Sequence, residues 1–491
     1  MPADGQSTLQ SLVAGRVMSE TVPGAVYVVF TADGPAFSGS AGIAGVDGRS
    51  PCPDTAFRIA SCTKSFTAAA VLRLRDAGRL SLDDPVARFI DIGPCELPGA
   101  QTVQQAVTVG ALLNMSGGFA SDNPWADRQE SMSEDEFTAL CRRGFTLTGA
   151  PGTRYEYSNL GYALLGRVIR QASGMEYRQY VTDNLLRPLG LSHSAFDAAQ
   201  CTAPGGVTVG FHRVGHQWRP AAVSTPGAFS SIGGLYMTAN ELAAWCRWLA
   251  AGYPWGAIGD DILAASSRRE MQQLHQLDPA RATGPVRVGG YGYGLDVELH
   301  DCGVVVSHRG GYPGFSAQMA WHPETQLGVV ILENASYART PAVTALRHLL
   351  AAAGLPTRPE PWPATIAARD EMERLFARWD DAVADRLFAD NVDLDMPRQQ
   401  RCSEIASAAL AIGFSEERRH RSLALCEPIS TSPANLEWTV RGLHGELRCE
   451  ITLTSVNPPK VQSITLSSKG SDCQQDRGAA GDNSVGFAIN D

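Results

Sequence analysis

Hydrophobic positions in this chain change period several times, and each change marks an element. Leu9, Leu12, Val13 and Val17 recur at helical spacing and predict a helix over residues 7–21. Residues 25–30 (AVYVVF) form a continuous apolar run of strand length, followed by a turn at Asp33-Gly34 and a second strand-like stretch. From Ser61 to about Ala77 the period is again that of a helix, with Gly78 as its stop. Residues 100–250 read mostly as helical segments, punctuated by loops such as Asn123-Pro124 and Ala150-Pro151-Gly152. Strand character returns at 291–299, 304–308, 316–322 and 328–333, with turn signals at Gly310-Gly311 and Pro313-Gly314, and a helix follows at 341–353. Strands from both ends of this stretch predict an α/β (α+β) fold: an antiparallel sheet flanked by helices, with an all-helical insertion.

Prolines 356, 359, 361 and 363 mark a linker over residues 356–364, which closes a first domain at residue 355. Beyond it Met372, Leu375, Phe376, Trp379 and Val383 predict a helix over 365–388, followed by a short strand at 392–394. A helix at 402–412 then precedes strands at 421–428, 436–441, 447–454 and 461–466. This is a small α+β domain over 365–468, read as an NTF2-like cone or a lipocalin-like barrel. Residues 469–491, rich in Gly, Asp, Ser and Asn, read as a disordered tail.

Composition narrows the function. With 44% hydrophobic and 19% charged residues, the 491-residue chain has enough apolar material for large cores. Its 41 basic and 51 acidic residues give a net charge of −10 with no Lys/Arg-rich run, which argues against a nucleic-acid partner. The first twenty residues lack a signal-peptide pattern, and the apolar run at 345–353 is interrupted by Arg347 and His348. The expectation is a cytoplasmic protein with no membrane partner. Eleven cysteines without a CxxC pair read as reduced thiols, and no HExxH or similar spacing calls for a metal or other cofactor. There is no GxSxG, so the α/β-hydrolase route to a serine nucleophile is disfavoured. The glycine-rich segment 289–294 leads into a strand and not a helix, so it reads as a strand entry and not as a phosphate loop.

The chemistry centres on Ser61-Cys62-Thr63-Lys64, where a loop enters an apolar helix. Positions i and i+3 share a helix face, so Lys64 can direct its amine at the Ser61 hydroxyl. That hydroxyl is a poor nucleophile until a base removes its proton, and a desolvated lysine can be that base. Taken alone this spacing recurs on many surface helices. Two further motifs follow in order: Tyr157-Ser158-Asn159 before a helix, and His308-Arg309-Gly310-Gly311 at the end of a strand. Tyr155 is a neighbouring alternative to Tyr157, but only Tyr157 has an asparagine two places on. Asp122-Asn123-Pro124-Trp125 is either a substrate loop or an ordinary turn with a packed tryptophan.

With these three motifs the chain resembles the serine β-lactamase and penicillin-binding-protein superfamily over roughly residues 8–355. The class C-like branch, which includes esterases, D-aminopeptidases and acyltransferases, is the nearer likeness. The segments LLNMSGG (112–118), GYGYGL (290–295) and GYPGFS (311–316) share in it. The resemblance implies that Ser61 attacks the acyl carbon and that Lys64 shares its proton with Tyr157, acting as phenolate or through a relay. Asn159 would position Lys64 and the substrate amide, His308 would stand where many relatives carry lysine, and Gly310 would keep the strand open for substrate backbone. The N–H groups of Ser61 and Gly311 would form the oxyanion hole. Arg309 would either restore the charge that histidine lacks or point to the other face, as strand alternation requires.

The implied function is a serine acyl-enzyme hydrolase or acyltransferase acting on peptidyl esters, thioesters or amides, D-configured, delivered free or by a carrier protein. Its forms include an esterase, a D-aminopeptidase-like hydrolase and a stand-alone penicillin-binding-protein-type thioesterase that cyclises nonribosomal peptides. The competing class is a non-catalytic ligand-binding protein on the same fold.

Overall fold

The computed structural model describes residues 3–97, 101–102, 106–254, 256–336, 338, 340–354, 360–414, 430 and 432–468. The chain divides into two compact units, Met1–Leu355 and Pro356–Asp491.

In the first unit, helix α1 (Ala3–Met18) precedes strands β1 (Gly24–Thr31) and β2 (Gly34–Gly42). The sheet resumes much later with β3 (Gln276–Leu277), β4 (Val288–Tyr291), β5 (Asp296–His300), β6 (Gly303–Tyr312), β7 (Phe315–His322) and β8 (Leu327–Glu333). Their spatial order is β3-β4-β5-β6-β7-β8-β1-β2, so the two ends of the unit meet where Ala25 pairs with Glu333 and Phe30 with Gly328.

The apolar run in β1 is continuous because both faces of the sheet are covered. Val26, Val28 and Phe30 enter the core that holds helix α2 (Thr63–Asp76), helix α3 (Asn159–Ser173) and helix α4 (Ala239–Ala251). Ala25, Tyr27 and Val29 face the opposite way, onto α1 and helix α5 (Ala342–Ala352). The insertion between β2 and β3 is helical for the most part and also carries three small sheets, among them the pair Ala56–Arg58 and Tyr236–Thr238. Among the described residues no helix is long and apolar enough to cross a membrane.

Two expectations in this unit are corrected. The strand expected over 291–299 is two strands, because the Gly292 N–H donates to the Leu295 carbonyl at 2.8 Å and Gly294 takes a left-handed φ of +72°. A side chain at Gly294 would also collide with the Lys64 carbonyl, so the turn sits hard against α2. Gly310-Gly311 is no turn; both residues lie inside β6, and the chain reverses at Pro313-Gly314.

The second unit packs helices α6 (Pro363–Ala377), α7 (Asp381–Leu387), α8 (Asp390–Asp395) and α9 (Arg398–Ile412) with strands β9 (Asn435–Arg441), β10 (Glu446–Leu453) and β11 (Val461–Ser468). The strands form one antiparallel meander, which closes no barrel among the described residues. The helix expected over 365–388 begins earlier, at Pro363 inside the expected linker, and is broken where Asp380 caps the next helix by accepting from the Ala382 N–H at 2.9 Å. Residues 392–394, expected as a strand, belong to α8. The strand expected at 421–428 and the tail 469–491 lie outside the described residues.

Candidate active site

Ser61 sits in a single 3₁₀ turn, Ala60–Cys62, that feeds directly into α2. Ala60 carries a positive φ of 48°, a conformation that costs an alanine about 1–3 kcal/mol and persists only where packing enforces it. Packing does enforce it. A Cβ added to Gly310 would lie 2.3 Å from the Ile59 carbonyl oxygen, and one on Gly233 would lie 3.3 Å from the Ala60 carbonyl carbon. The glycine at 310 is therefore required by the turn that carries Ser61, which packs against its buried side. Cys62, Thr63 and Lys64 are buried, whereas Ser61 keeps part of its surface open.

Lys64 Nζ lies 3.1 Å from Ser61 Oγ, 2.7 Å from Asn159 Oδ1 and 2.8 Å from the Ile232 carbonyl oxygen. Among the described residues Lys64 makes no ion pair with a carboxylate. Burial lowers its pKa to about 7, against the opposing pull of the Asp127 and Asp122 charges. A neutral amine has two N–H donors and one lone pair. Two donors serve Asn159 and Ile232, and the lone pair is left for the Ser61 proton.

Tyr157 closes the group from the other side, its ring centroid 5.1 Å from Lys64 Nζ. Burial raises its pKa well above the ordinary phenol value, although a hydrogen bond with the Ser61 side chain pulls it down. Burial thus favours the neutral phenol over the phenolate.

Asn159 opens α3 and is held on every polar atom. Its Nδ2 donates to Asn123 Oδ1 at 2.6 Å, and its backbone N–H donates to Asp122 Oδ1 at 2.8 Å. Asp122 Oδ2 also accepts from the Leu160 N–H at 2.8 Å, so one carboxylate covers two of the free donors at the helix start. The DNPW segment is thus a clamp on Asn159.

His308 lies on the α2 side of β6, with both ring nitrogens engaged. Nδ1 faces the Arg309 carbonyl oxygen at 2.7 Å, which fixes Nδ1 as the protonated nitrogen, so Nε2 accepts from the Tyr291 hydroxyl at 2.8 Å. Burial lowers its pKa to about 4, and the nearby Lys64 adds to this while Asp296 opposes it. That shift favours the neutral ring, which lies 6.4 Å, centroid to centroid, from Tyr157 and tilted against it.

β5 pairs with β6 only as far as Ser307, so among the described residues the β6 edge from His308 to Tyr312 has no strand partner on that side. Gly311 lies on this open stretch and is partly exposed. Arg309 projects from the face opposite His308 and adds no charge beside Ser61.

Ser61, Lys64, Tyr157, Asn159 and His308 thus converge from three separate segments. Sequence reasoning missed Tyr291, whose hydroxyl donates to His308 Nε2; it lay in the glycine-rich segment 289–294 read as a strand entry. It also missed the Arg58–Glu130 ion pair at 2.7 Å behind the turn, for which the sequence carries no local signal. Among the described residues no group of three or more His, Cys, Asp or Glu side chains could hold a metal ion.

A large antiparallel sheet flanked by helices, with a partly exposed serine and a lysine one turn along a buried helix, defines a protein of the penicillin-binding-protein and β-lactamase-like class. Residues 9–354 match the family described as Beta-lactamase, and the chain belongs to that family. Among curated relatives it is 24% identical over 351 residues to Protein flp of Staphylococcus aureus (strain NCTC 8325 / PS 47), covering 67% of this chain and 63% of that protein. The chain therefore spans less than two thirds of that relative's length. Among solved structures it is similar to the octameric penicillin-binding protein homologue from Pyrococcus abyssi, with a TM-score of 0.62, 21% identity, and coverage of 94% of this chain and 99% of the other. It is also similar to a D-stereospecific amidohydrolase from Streptomyces sp., with a TM-score of 0.55, 22% identity, and coverage of 70% and 97%.

Proposed function

We propose that this protein forms an acyl-enzyme on Ser61 and passes the acyl group to water, or to an amine or alcohol that enters in its place. The observation that carries this reading is the Lys64 amine 3.1 Å from Ser61 Oγ, with a pKa brought to about 7 by burial. At that value the amine is neutral in much of the population near pH 7 and still a competent base. Lys64 takes the Ser61 proton as the hydroxyl attacks the carbonyl carbon. The Tyr157 phenol, between Lys64 and the open side, relays that proton to the leaving group. The N–H groups of Ser61 and Gly311 receive the developing oxyanion, an arrangement whose single donors are typically worth about 2.7–4 kcal/mol.

The neutral His308 leaves no fixed cation at its position on β6, which favours esters and amides that need no carboxylate at that point. Likeness to a D-stereospecific amidohydrolase supports D-configured amides and esters as the first substrates to try.

Intact-mass analysis after exposure to a fluorophosphonate, then to a panel of esters, thioesters and D-amino-acid amides, tests the reading. We expect one adduct per chain, absent in Ser61→Ala, and turnover of at least one panel member. A folded wild-type protein that takes no adduct would instead be the non-catalytic binder. Linear and cyclic products of a peptidyl thioester differ by one water in the same measurement, which separates hydrolysis from ring closure.

A further inference from the structure

On the face of the sheet turned away from Ser61 there is a cavity of about 430 Å³ that the acyl-transfer chemistry does not use. It lies between β5, β6, β7 and the start of α5, and its wall includes Arg281, Arg309, Arg347 and Gln318. Its acidic groups are already committed. Asp296 pairs with Arg281 at 2.7 Å, and Glu298 lies 3.4 Å from the same guanidinium. Arg281 is also engaged by Asp278 and by the Tyr155 hydroxyl. The other two arginines are less committed: among the described residues neither Arg309 nor Arg347 makes a contact ion pair, although the Arg309 charge is felt by Asp296, and Arg347 has only the Cys302 thiol as a hydrogen-bonding neighbour.

Gln318 supplies the second, independent observation. It stands opposite Arg309 in the β6–β7 register and is 1% exposed. Its Oε1 accepts from the Ala342 N–H at 2.8 Å, capping α5, and this fixes which amide atom is nitrogen. The remaining atom, Nε2, is a buried donor with no partner among the described residues. A buried N–H group without an acceptor is unfavourable and rare in native structures, and two unpaired guanidinium groups beside it supply the field that an anion seeks.

We propose that Arg309, Arg347 and the Gln318 amide form a binding site for a small oxyanion, a carboxylate or a phosphate, on the back of the strand that carries His308. The ligand oxygens accept from Gln318 Nε2 at the floor and from the two guanidinium groups at the mouth. The site is separate from the acyl-enzyme centre and does not depend on the activity proposed for it.

Calorimetric titration of the full chain with inorganic phosphate, and separately with succinate, tests this. The expected result is one saturable site for at least one of the two anions. The tighter of the two identifies the ligand class as phosphate or carboxylate. Affinity should fall at least tenfold in Arg309→Gln, where an exposed side chain changes, and in Gln318→Glu, which keeps an oxygen for the α5 cap but replaces the donor. Should Gln318→Glu fail to fold by circular dichroism, Arg309→Gln with Arg347→Gln carries the test. No saturable binding of either anion by the wild type, or equal affinity in the folded variants, overturns the proposal.

Discussion

Arg58 and Lys64 lie on either side of Ser61, three residues before it and three after, and both are buried, at 1% and 0% exposure. Arg58 meets Glu130 at 2.7 Å, donates to the Gly233 carbonyl at 2.9 Å and lies 3.6 Å from the Tyr312 ring centroid. Those partners hold its pKa above the ordinary value even though burial alone would lower it. Lys64 has amide and hydroxyl neighbours and more distant carboxylates, and burial takes its pKa down to about 7. The same loss of water thus has two outcomes. Arg58, a guanidinium that stays charged in any case, is paired by Glu130 into a cation that braces the turn, whereas Lys64, with no carboxylate in contact, becomes a group that can exchange a proton. The desolvation cost that either charge carries is offset only where a partner is in contact.

The largest expected effects separate the two. Lys64→Met should lower kcat/KM for an ester substrate by about 10²–10⁴-fold, the usual worth of a positioned base, while the protein still folds. Arg58→Met should act on stability instead. It leaves Glu130 as a buried carboxylate without its cation, a loss of about 3–5 kcal/mol, read as a lower denaturation midpoint. If Lys64→Met destabilises as much as Arg58→Met with no separate kinetic defect, the contrast between brace and base is wrong.

How legible these assignments were depends on how local each one is. The approach of Lys64 to Ser61 follows from three residues of one helix, and strand alternation offered the far face as one of two readings for Arg309, the one the structure takes. Asn159 came from its motif, but its clamp did not: Asp122 and Asn123 reach it from a separate loop, and nothing in a DNPW segment says which helix start it will meet. Tyr291 is similar, because its contact with His308 joins strands that are not neighbours in the sheet. The error at 392–394 has a simpler cause. Val392 and Leu394 are spaced by two, as on a strand face. In α8 that spacing turns them to opposite sides, so Val392 is 2% exposed and Leu394 84%. Period two over three residues does not distinguish the alternatives.

His308 is a third buried titratable group, and it tests whether partners or burial rule there. Tyr291→Phe removes the donor to Nε2 and leaves a buried acceptor unpaired, at a cost of about 1–3 kcal/mol. For the first unit this corresponds to a fall in Tm of about 1–4 °C, measured by calorimetry. Because the ring is already neutral, with its pKa near 4, the pH dependence of activity above pH 5 should not change. A new titration between pH 5 and 7 in the variant would mean that Tyr291, rather than burial, keeps the imidazole uncharged.

The smallest effect sharpens the comparison most. If neutral Lys64 is the base, kcat/KM should rise about tenfold per pH unit below its pKa and level off above about pH 7. Asp127 carries a negative charge that favours the protonated amine and so raises the Lys64 pKa. Asp127→Asn removes that charge, the pKa falls further, and the acid limb should move to lower pH by a fraction of a unit, with relative activity at pH 6 increased. Glu130→Gln removes a charge that faces Arg58 and should leave the limb where it is. Equal movement of the limb in both variants would mean that Lys64 feels the whole acidic surroundings and not its own neighbours, and the two cations could no longer be told apart by their partners.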